Sequence, residues 1–96
     1  MMVVVAYDIA GTGADSARRL RKVSGICSGY GVKVQHSVYE CIVDAEQYRA
    51  LRTALERTIR KGEDSIRLYR LGNRYGGRIE TLGAETAGWD RESFVL

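Results

Sequence analysis

Met1-Met2-Val3-Val4-Val5-Ala6-Tyr7-Asp8-Ile9 is the stretch that decides the fold of this chain. It is rich in β-branched and aromatic residues, and a short apolar run that stops at glycines is typical of a buried strand. Side chains alternate along a strand, so the odd-numbered residues from 3 to 9 share one face and Val4, Ala6 and Asp8 share the other. Both faces are apolar as far as Asp8. The pattern therefore predicts a central strand that is covered on both sides.

Asp8 lies where this predicted strand ends. A carboxylate at such a place is costly to desolvate unless it is paired, hydrogen-bonded or bound to a metal. Asp8 is therefore either a cap of the following loop or part of a metal or nucleic-acid site. The residues alone leave both interpretations open.

Composition indicates one small, mildly basic domain. The chain has 96 residues, no proline and a formal charge of +3, and all fifteen Lys and Arg residues lie from Arg18 onward. This charge suits nucleic acid but does not require it. Two cysteines, Cys27 and Cys41, are too few for a disulfide framework and lack a metal-ligand spacing. The first apolar run is too short to span a bilayer, so we expect a cytoplasmic protein without a membrane partner.

Alternating helix and strand patterns follow the first strand. The predicted elements are helix 16–29, strands 32–35 and 38–43, helix 44–61, strand 65–71 and a fifth strand at 78–82. Asp15 or Ser16 is expected to cap the first helix and Gly31 to end it in the left-handed conformation. Asp44 and Gln47 form a capping-box pattern for the second helix.

The order of these elements predicts an α+β fold of the ferredoxin-like βαββαβ type with an antiparallel sheet. Right-handed crossovers place both helices on one face, so the other face needs a cover. A second copy of the chain is the simplest cover, which predicts a homodimer. Residues 1–71 are expected to form the core domain. Residues 72–96 are expected to form a linker and a C-terminal strand or tail for dimer or partner contacts, with Phe94-Val95-Leu96 docked.

Two groups of basic residues are candidate contacts for nucleic acid. Arg18, Arg19 and Lys22 lie on the first helix, and Arg74 and Arg78 lie in the linker after the last core strand. Such clusters either form a solvated surface or bind phosphates, and the basic charge of the chain adds weight to phosphate binding.

Four stretches of the chain resemble the CRISPR-associated Cas-two proteins. Val5-Ala6-Tyr7-Asp8-Ile9 resembles the first strand of that family with its metal-linked aspartate, and residues 15–20 resemble the arginine-bearing start of its first helix. Residues 30–41, with Val34-Gln35-His36-Ser37-Val38-Tyr39, are similar to its most distinctive signature. Residues 63–69 resemble the lead into its fourth strand. The resemblance covers residues 3 to 71 in the order and spacing of the family.

The resemblance implies a ferredoxin-like homodimer that bridges the Cas-one integrase on duplex DNA during spacer acquisition. It also implies an Mg²⁺-dependent endonuclease, with Asp8 as the catalytic and metal-binding residue and with DNA or single-stranded RNA as substrate. One carboxylate holds Mg²⁺ poorly, so we expect one ion to be shared by the two Asp8 residues of a dimer. The alternative is a stand-alone metal-dependent ribonuclease of the toxin type. An RNA-recognition module is disfavoured, because the strands lack its aromatic-rich consensus.

Overall fold

The computed structural model describes residues 1–84. The elements are, in order, β1 (Met2–Asp8), α1 (Ala14–Ser28), β2 (Gly31–Gln35), β3 (Val38–Ile42), α2 (Ala45–Thr58) and β4 (Ser65–Gly72), followed by a 3₁₀ turn (Gly76–Arg78). This order confirms the predicted ferredoxin-like βαββαβ arrangement.

β1 lies inside the four-stranded antiparallel sheet, as its two apolar faces predict. The strand order is β2-β3-β1-β4. In the register of the sheet, Val5 of β1 lies opposite Tyr39 of β3 on one side and Leu68 of β4 on the other. β2 and β4 are the edge strands of this sheet.

Both helices pack on the same face of the sheet, as expected from right-handed crossovers. The buried core joins residues from the strands and from both helices: Val3, Val5, Tyr7, Tyr39, Cys41 and Val43 meet Val23, Cys27, Leu51 and Leu55. Both cysteines are free and buried. Burial raises the pKa of the Cys27 thiol to about 12 and that of Cys41 to about 11, so both pack as neutral core residues.

Gly31 is needed for close packing, and the prediction that it ends α1 in the left-handed conformation is wrong. Gly29 ends the helix at a φ of −71°, and Gly31 begins β2. A Cβ on Gly31 would lie 2.2 Å from the carbonyl oxygen of Glu40 and 2.6 Å from Sγ of Cys41. Only glycine allows β2 to approach β3 this closely.

The start of α1 differs from the prediction. α1 begins at Ala14, and its N-cap, Gly13, makes no side-chain capping bond. The expected caps have other roles, since Asp15 lies in the first turn and the Ser16 hydroxyl donates to the Gly11 carbonyl at 3.0 Å.

α2 begins as predicted, with a capping box. The Asp44 carboxylate accepts the Gln47 N–H at 2.7 Å, and Oε1 of Gln47 accepts the Asp44 N–H at 2.9 Å. The helix ends at Thr58 rather than at residue 61. The chain turns there because the Asp64 carboxylate binds the Arg60 N–H at 2.8 Å.

The sheet face opposite the helices, here called the open face, is partly covered by the chain itself. Residues 79–84 run beside Val34, Val38 and Glu40 on this face. The predicted fifth strand at 78–82 is wrong for the single chain, because these residues cross the face and pair with neither edge strand. The predicted docking tail Phe94-Val95-Leu96 lies outside the described residues. Within residues 1–84, neither helix has the length and apolar character needed to cross a membrane.

Candidate nucleic-acid interface

Asp8 is the last residue of β1 and is exposed on the open face. Its cross-strand partner is Ser65 at the start of β4. No side chain or N–H of residues 1–84 donates a hydrogen bond to its carboxylate, so Asp8 does not cap the loop that follows it. The described part of the chain contains no cluster of three or more His, Cys, Asp or Glu residues that could hold a metal ion. Within residues 1–84, Asp8 therefore has no second ligand residue beside it for a metal ion.

The loop after β1 is fixed instead by Asp64, which sequence reasoning missed. The Asp64 side chain is 0% exposed, and its carboxylate accepts the Ala10 N–H at 2.9 Å, the Arg60 N–H at 2.8 Å and Nε of Arg19 at 2.8 Å. The bond from Arg19 is the main reason that the pKa of Asp64 falls from 3.8 to about 2, and the two backbone donors add to this effect against the cost of burial. Asp64 thus ties the β1–α1 loop, α1 and the segment after α2 to the start of β4.

Arg19 belongs to this buried contact set. Only 7% of the residue is exposed, and its guanidinium binds Asp64, Asp15 and the Ala10 carbonyl. These contacts occupy the donors that a phosphate would need. Arg19 therefore stabilises the fold, and few of its donors remain for a phosphate.

A groove of about 300 Å³ lies between the first half of α1 and the end of α2. Its lining, here called the basic groove, consists of Asp15, Arg18, Arg19, Lys22, Arg57, Thr58, Ile59 and Arg60. The sequence predicted the α1 part of this lining. It missed Arg57 and Arg60, because only the packing of the two helices places the end of α2 beside α1.

Asp15 neutralises part of the basic groove. Its carboxylate forms ion pairs with Arg18, with Arg60 and with the buried Arg19. Burial would raise the pKa of Asp15, but Arg60, Arg18 and Arg19 together lower it, so the carboxylate is charged at neutral pH. Neither Lys22 nor Arg57 has an ion-pair partner among residues 1–84. These two cations are the free positive charges of the groove.

The remaining basic candidates lie elsewhere. Arg74 and Arg78 are exposed in the connection after β4 and do not line the basic groove. Arg67, which sequence reasoning did not single out, lies opposite Ala6 and shares the open face with Asp8. Its guanidinium stacks 5.5 Å from the centre of the Tyr69 ring on the same strand. The structure therefore presents basic side chains outside the basic groove as well.

Comparison with known proteins places this fold and these residues in one family. Residues 1–79 match the family model described as CRISPR associated protein Cas2. A CRISPR-associated endonuclease Cas2 from Halalkalibacterium halodurans is 44% identical over 88% of this chain and 88% of its own length. A CRISPR-associated endoribonuclease Cas2 from Nitratidesulfovibrio vulgaris is 37% identical over 91% of this chain and 85% of its own length.

Among solved structures, Streptococcus pyogenes Cas2 superposes with a TM-score of 0.77 at 41% identity, covering 86% of this chain and 100% of that one. Residues 1–79, which match the family model, contain β1 with Asp8, the arginine-bearing α1 and the β2–β3 signature. The sequence resemblance to the Cas-two proteins is thereby confirmed. This chain belongs to the CRISPR-associated Cas2 family.

Proposed function

We propose that this protein is a homodimeric, duplex-DNA-binding component of CRISPR adaptation that bridges the Cas-one integrase during spacer integration. The observation that carries the proposal is the basic groove on a chain of the Cas2 family. Two copies of the groove on one dimer would give a basic surface that binds duplex DNA independently of its sequence. Phosphate contacts of this kind position DNA without reading bases.

The homodimer is proposed through the open face. Residues 79–84 cover the β2–β3 half of this face, while Ala6 and Tyr69 on the β1–β4 half stay accessible. Tyr69 is 44% exposed, which is unusual for a large aromatic side chain on a sheet. A second copy would cover this half, and each open face would then be protected from water.

DNA binding is proposed through Arg18, Lys22, Arg57 and Arg60, with Arg74 and Arg78 as outer contacts. Phosphates would compete with Asp15 for Arg18 and Arg60. Lys22 and Arg57 would bind phosphates without first breaking an ion pair. Binding of mixed-sequence duplex DNA, followed by fluorescence anisotropy between 50 and 300 mM salt, tests this. With four to six phosphates neutralised per dimer, the plot of log K against log salt should have a slope of about −4 to −5. A slope near zero would contradict DNA binding by these cations.

A second candidate function, an Mg²⁺-dependent endonuclease, is favoured by the exposed Asp8 at the end of β1. Mg²⁺ binds one or two carboxylates and completes its octahedral shell with waters and phosphates. Residues 1–84 of one chain do not supply enough ligands for such an ion, but the Asp8 residues of two copies would do so if the dimer brings them together. When bound there, Mg²⁺ would supply an activated water for phosphodiester hydrolysis. Asp8 of each copy would hold the ion, and activity would belong to the dimer only.

Asp8→Asn tests this second function. The substitution keeps the shape of the side chain and removes the charge that a hard cation needs. It should abolish Mg²⁺-dependent cleavage and leave the dimer and its DNA affinity unchanged. Comparing duplex DNA with single-stranded RNA as substrates tests the alternative of a toxin-type ribonuclease, which would cut only the RNA. Cleavage that persists in Asp8→Asn would exclude Asp8 as the catalytic residue.

A further inference from the structure

A second cleft lies on the opposite side of α1 from the basic groove. It is bounded by α1, by the β2–β3 turn and by Tyr7 of β1. Its volume is about 410 Å³, within the range of small-molecule sites, about 300–1,000 Å³. The side of α1 that carries Leu20, Arg21 and Ser24 faces this cleft, whereas Arg18 and Lys22 face the basic groove.

The rim of this cleft is positively charged and is not neutralised by acidic residues of the described chain. Arg21, Lys33 and His36 are exposed at the rim, and no described Asp or Glu lines the cleft. Neither Arg21 nor Lys33 forms an ion pair within residues 1–84. The basic groove differs, since Asp15 pairs with three of its arginines. Unpaired guanidinium and ammonium groups around a concave site favour a phosphate ligand.

The floor of the cleft combines apolar surface with fixed hydroxyl groups. Tyr7 is buried, and its hydroxyl faces Ser24 and Ser37. Burial is the main cause that raises the pKa of Tyr7, so the hydroxyl remains protonated and can donate at neutral pH. The Tyr39 ring stacks on Tyr7 at 6.3 Å, and its hydroxyl hydrogen-bonds with that of Ser24 at 2.6 Å. Leu20, 39% exposed, adds an apolar wall.

Ser37 is held in a strained conformation at the edge of this cleft. Its φ of 63° is the only positive value for a residue other than glycine among residues 1–84. Its carbonyl accepts the Tyr7 N–H at 3.1 Å, which fixes the turn against β1. Glycine would fit this backbone without strain but would remove a hydroxyl from the cleft. Such strained residues occur often at ligand sites.

We propose that this cleft binds one nucleoside monophosphate unit. The phosphate binds Arg21 and Lys33, the hydroxyls of Ser24 and Ser37 contact the polar part of the nucleoside, and the base packs against Leu20. The ligand is either a free nucleotide or the phosphorylated end of a strand, which share this chemistry. The proposal does not rest on duplex binding in the basic groove, because the two sites share no lining residue.

Titration of the ¹⁵N-labelled full chain with adenosine 5′-monophosphate, adenosine and inorganic phosphate, followed by NMR, tests the proposal. The nucleotide should shift the amides of Gly25, Ser28 and Ser37, and adenosine and phosphate should each bind at least about tenfold more weakly. Arg21→Gln and Lys33→Gln should each weaken nucleotide binding about tenfold, while Arg18→Gln, the control in the basic groove, should leave it unchanged. All three side chains are exposed, so we expect these variants to keep the dispersed spectrum of the folded protein.

Other outcomes of this experiment overturn the proposal. Binding that weakens in Arg18→Gln but persists in Arg21→Gln and Lys33→Gln would place the nucleotide in the basic groove. If adenosine binds as tightly as the nucleotide, the cleft does not recognise the phosphate. If inorganic phosphate binds as tightly as the nucleotide, the cleft does not recognise the nucleoside. A 5′-phosphorylated tetranucleotide that matches the nucleotide in affinity would identify strand ends as the source, and one that binds at least about tenfold more weakly would identify free nucleotides.

Discussion

At the scale of single residues, the two aspartates that border β1 and β4 have opposite roles. Asp8 is exposed and its carboxylate accepts no hydrogen bond within residues 1–84, whereas the Asp64 side chain is 0% exposed and accepts three different donors. The sequence drew attention to Asp8, because it interrupts an apolar strand. Nothing local distinguishes Asp64, since its donors come from residues 10, 19 and 60 and meet only in the folded chain.

Asp64→Asn should destabilise the protein. The substitution leaves the buried Arg19 with Asp15 as its remaining carboxylate partner, and the loss of a hydrogen-bonded charge costs about 1.5–3 kcal/mol. Because the folded pKa of Asp64 is lowered from 3.8 to about 2, its stabilising effect is complete above pH 4 and is lost as the pH falls through about 2. Urea unfolding at a fixed protein concentration should therefore give a lower free energy of unfolding for Asp64→Asn than for the wild type at pH 7. This difference should shrink between pH 4 and pH 2.

Glu63→Gln is the matched control for Asp64→Asn. The Glu63 side chain is 52% exposed and lies 3.7 Å from Nε of Arg60, so we expect its removal to change the free energy of unfolding by less than about 0.5 kcal/mol. An equal effect of the two substitutions, or a deficit in Asp64→Asn that does not depend on pH, would contradict the structural role of Asp64.

Ser37→Gly should stabilise the fold. Relief of the left-handed strain stabilises the fold by about 1–2 kcal/mol and the added freedom of the unfolded chain costs about 0.5–1 kcal/mol, which leaves a net gain of about 0–1.5 kcal/mol. Thermal unfolding measures this gain, and nucleotide affinity should fall in the same variant because the hydroxyl is lost. A lower melting temperature would show that Ser37 is not strained.

At the scale of helices and strands, periodicity predicted the elements but not all of their ends. The apolar spacing of α1 and α2 and the strand character of β1 to β4 were sufficient to order the elements correctly. The ends depended on contacts from distant residues: Asp64 ends α2, and the approach of Glu40 and Cys41 explains Gly31. A glycine selected for close packing looks the same in sequence as one selected for a left-handed turn.

The basic groove joins two such elements, and its predicted role can be tested there. The double variant Lys22→Gln/Arg57→Gln removes two unpaired charges from each chain and should reduce the salt slope of duplex binding by about one for each phosphate contact that is lost. Arg49→Gln/Arg52→Gln, on exposed positions of α2 outside the groove, is the control with the same change in charge. Equal slopes for the two double variants would indicate that the groove is a solvated surface that does not contact phosphates.

At the scale of the whole molecule, the sequence predicted an uncovered sheet face, and the fold explains how it is used. The chain covers the β2–β3 half with residues 79–84, where a fifth strand had been expected. That expectation failed because a strand pattern shows only that a segment can pair, and pairing also requires a free edge within reach. The other half of the open face, with Ala6 and Tyr69, remains for a second copy.

Tyr69→Glu tests the proposed dimer interface. A charge in the centre of a buried contact should weaken the dimer at least about tenfold, because aromatic residues carry much of the binding energy of interfaces. The wild-type protein should scatter light as a dimer of the 10.7 kDa chain at micromolar concentration, and Tyr69→Glu should shift toward the monomer. Arg52→Glu, on the exposed surface of α2, should remain dimeric. A monodisperse wild-type monomer would contradict both the dimer and the shared Asp8 site.

The central claim is that the protein is a DNA-dependent bridge for the integrase, and co-purification with the Cas-one integrase tests it most directly. Wild-type protein and Asp8→Asn should both retain the integrase, and duplex DNA should strengthen the complex in each case. Lys22→Gln/Arg57→Gln should lose most of the DNA-dependent gain, because bridging relies on basic charge and shape rather than on the carboxylate. Loss of the complex in a folded, dimeric Asp8→Asn protein, or an unchanged gain in the groove variant, would contradict the claim.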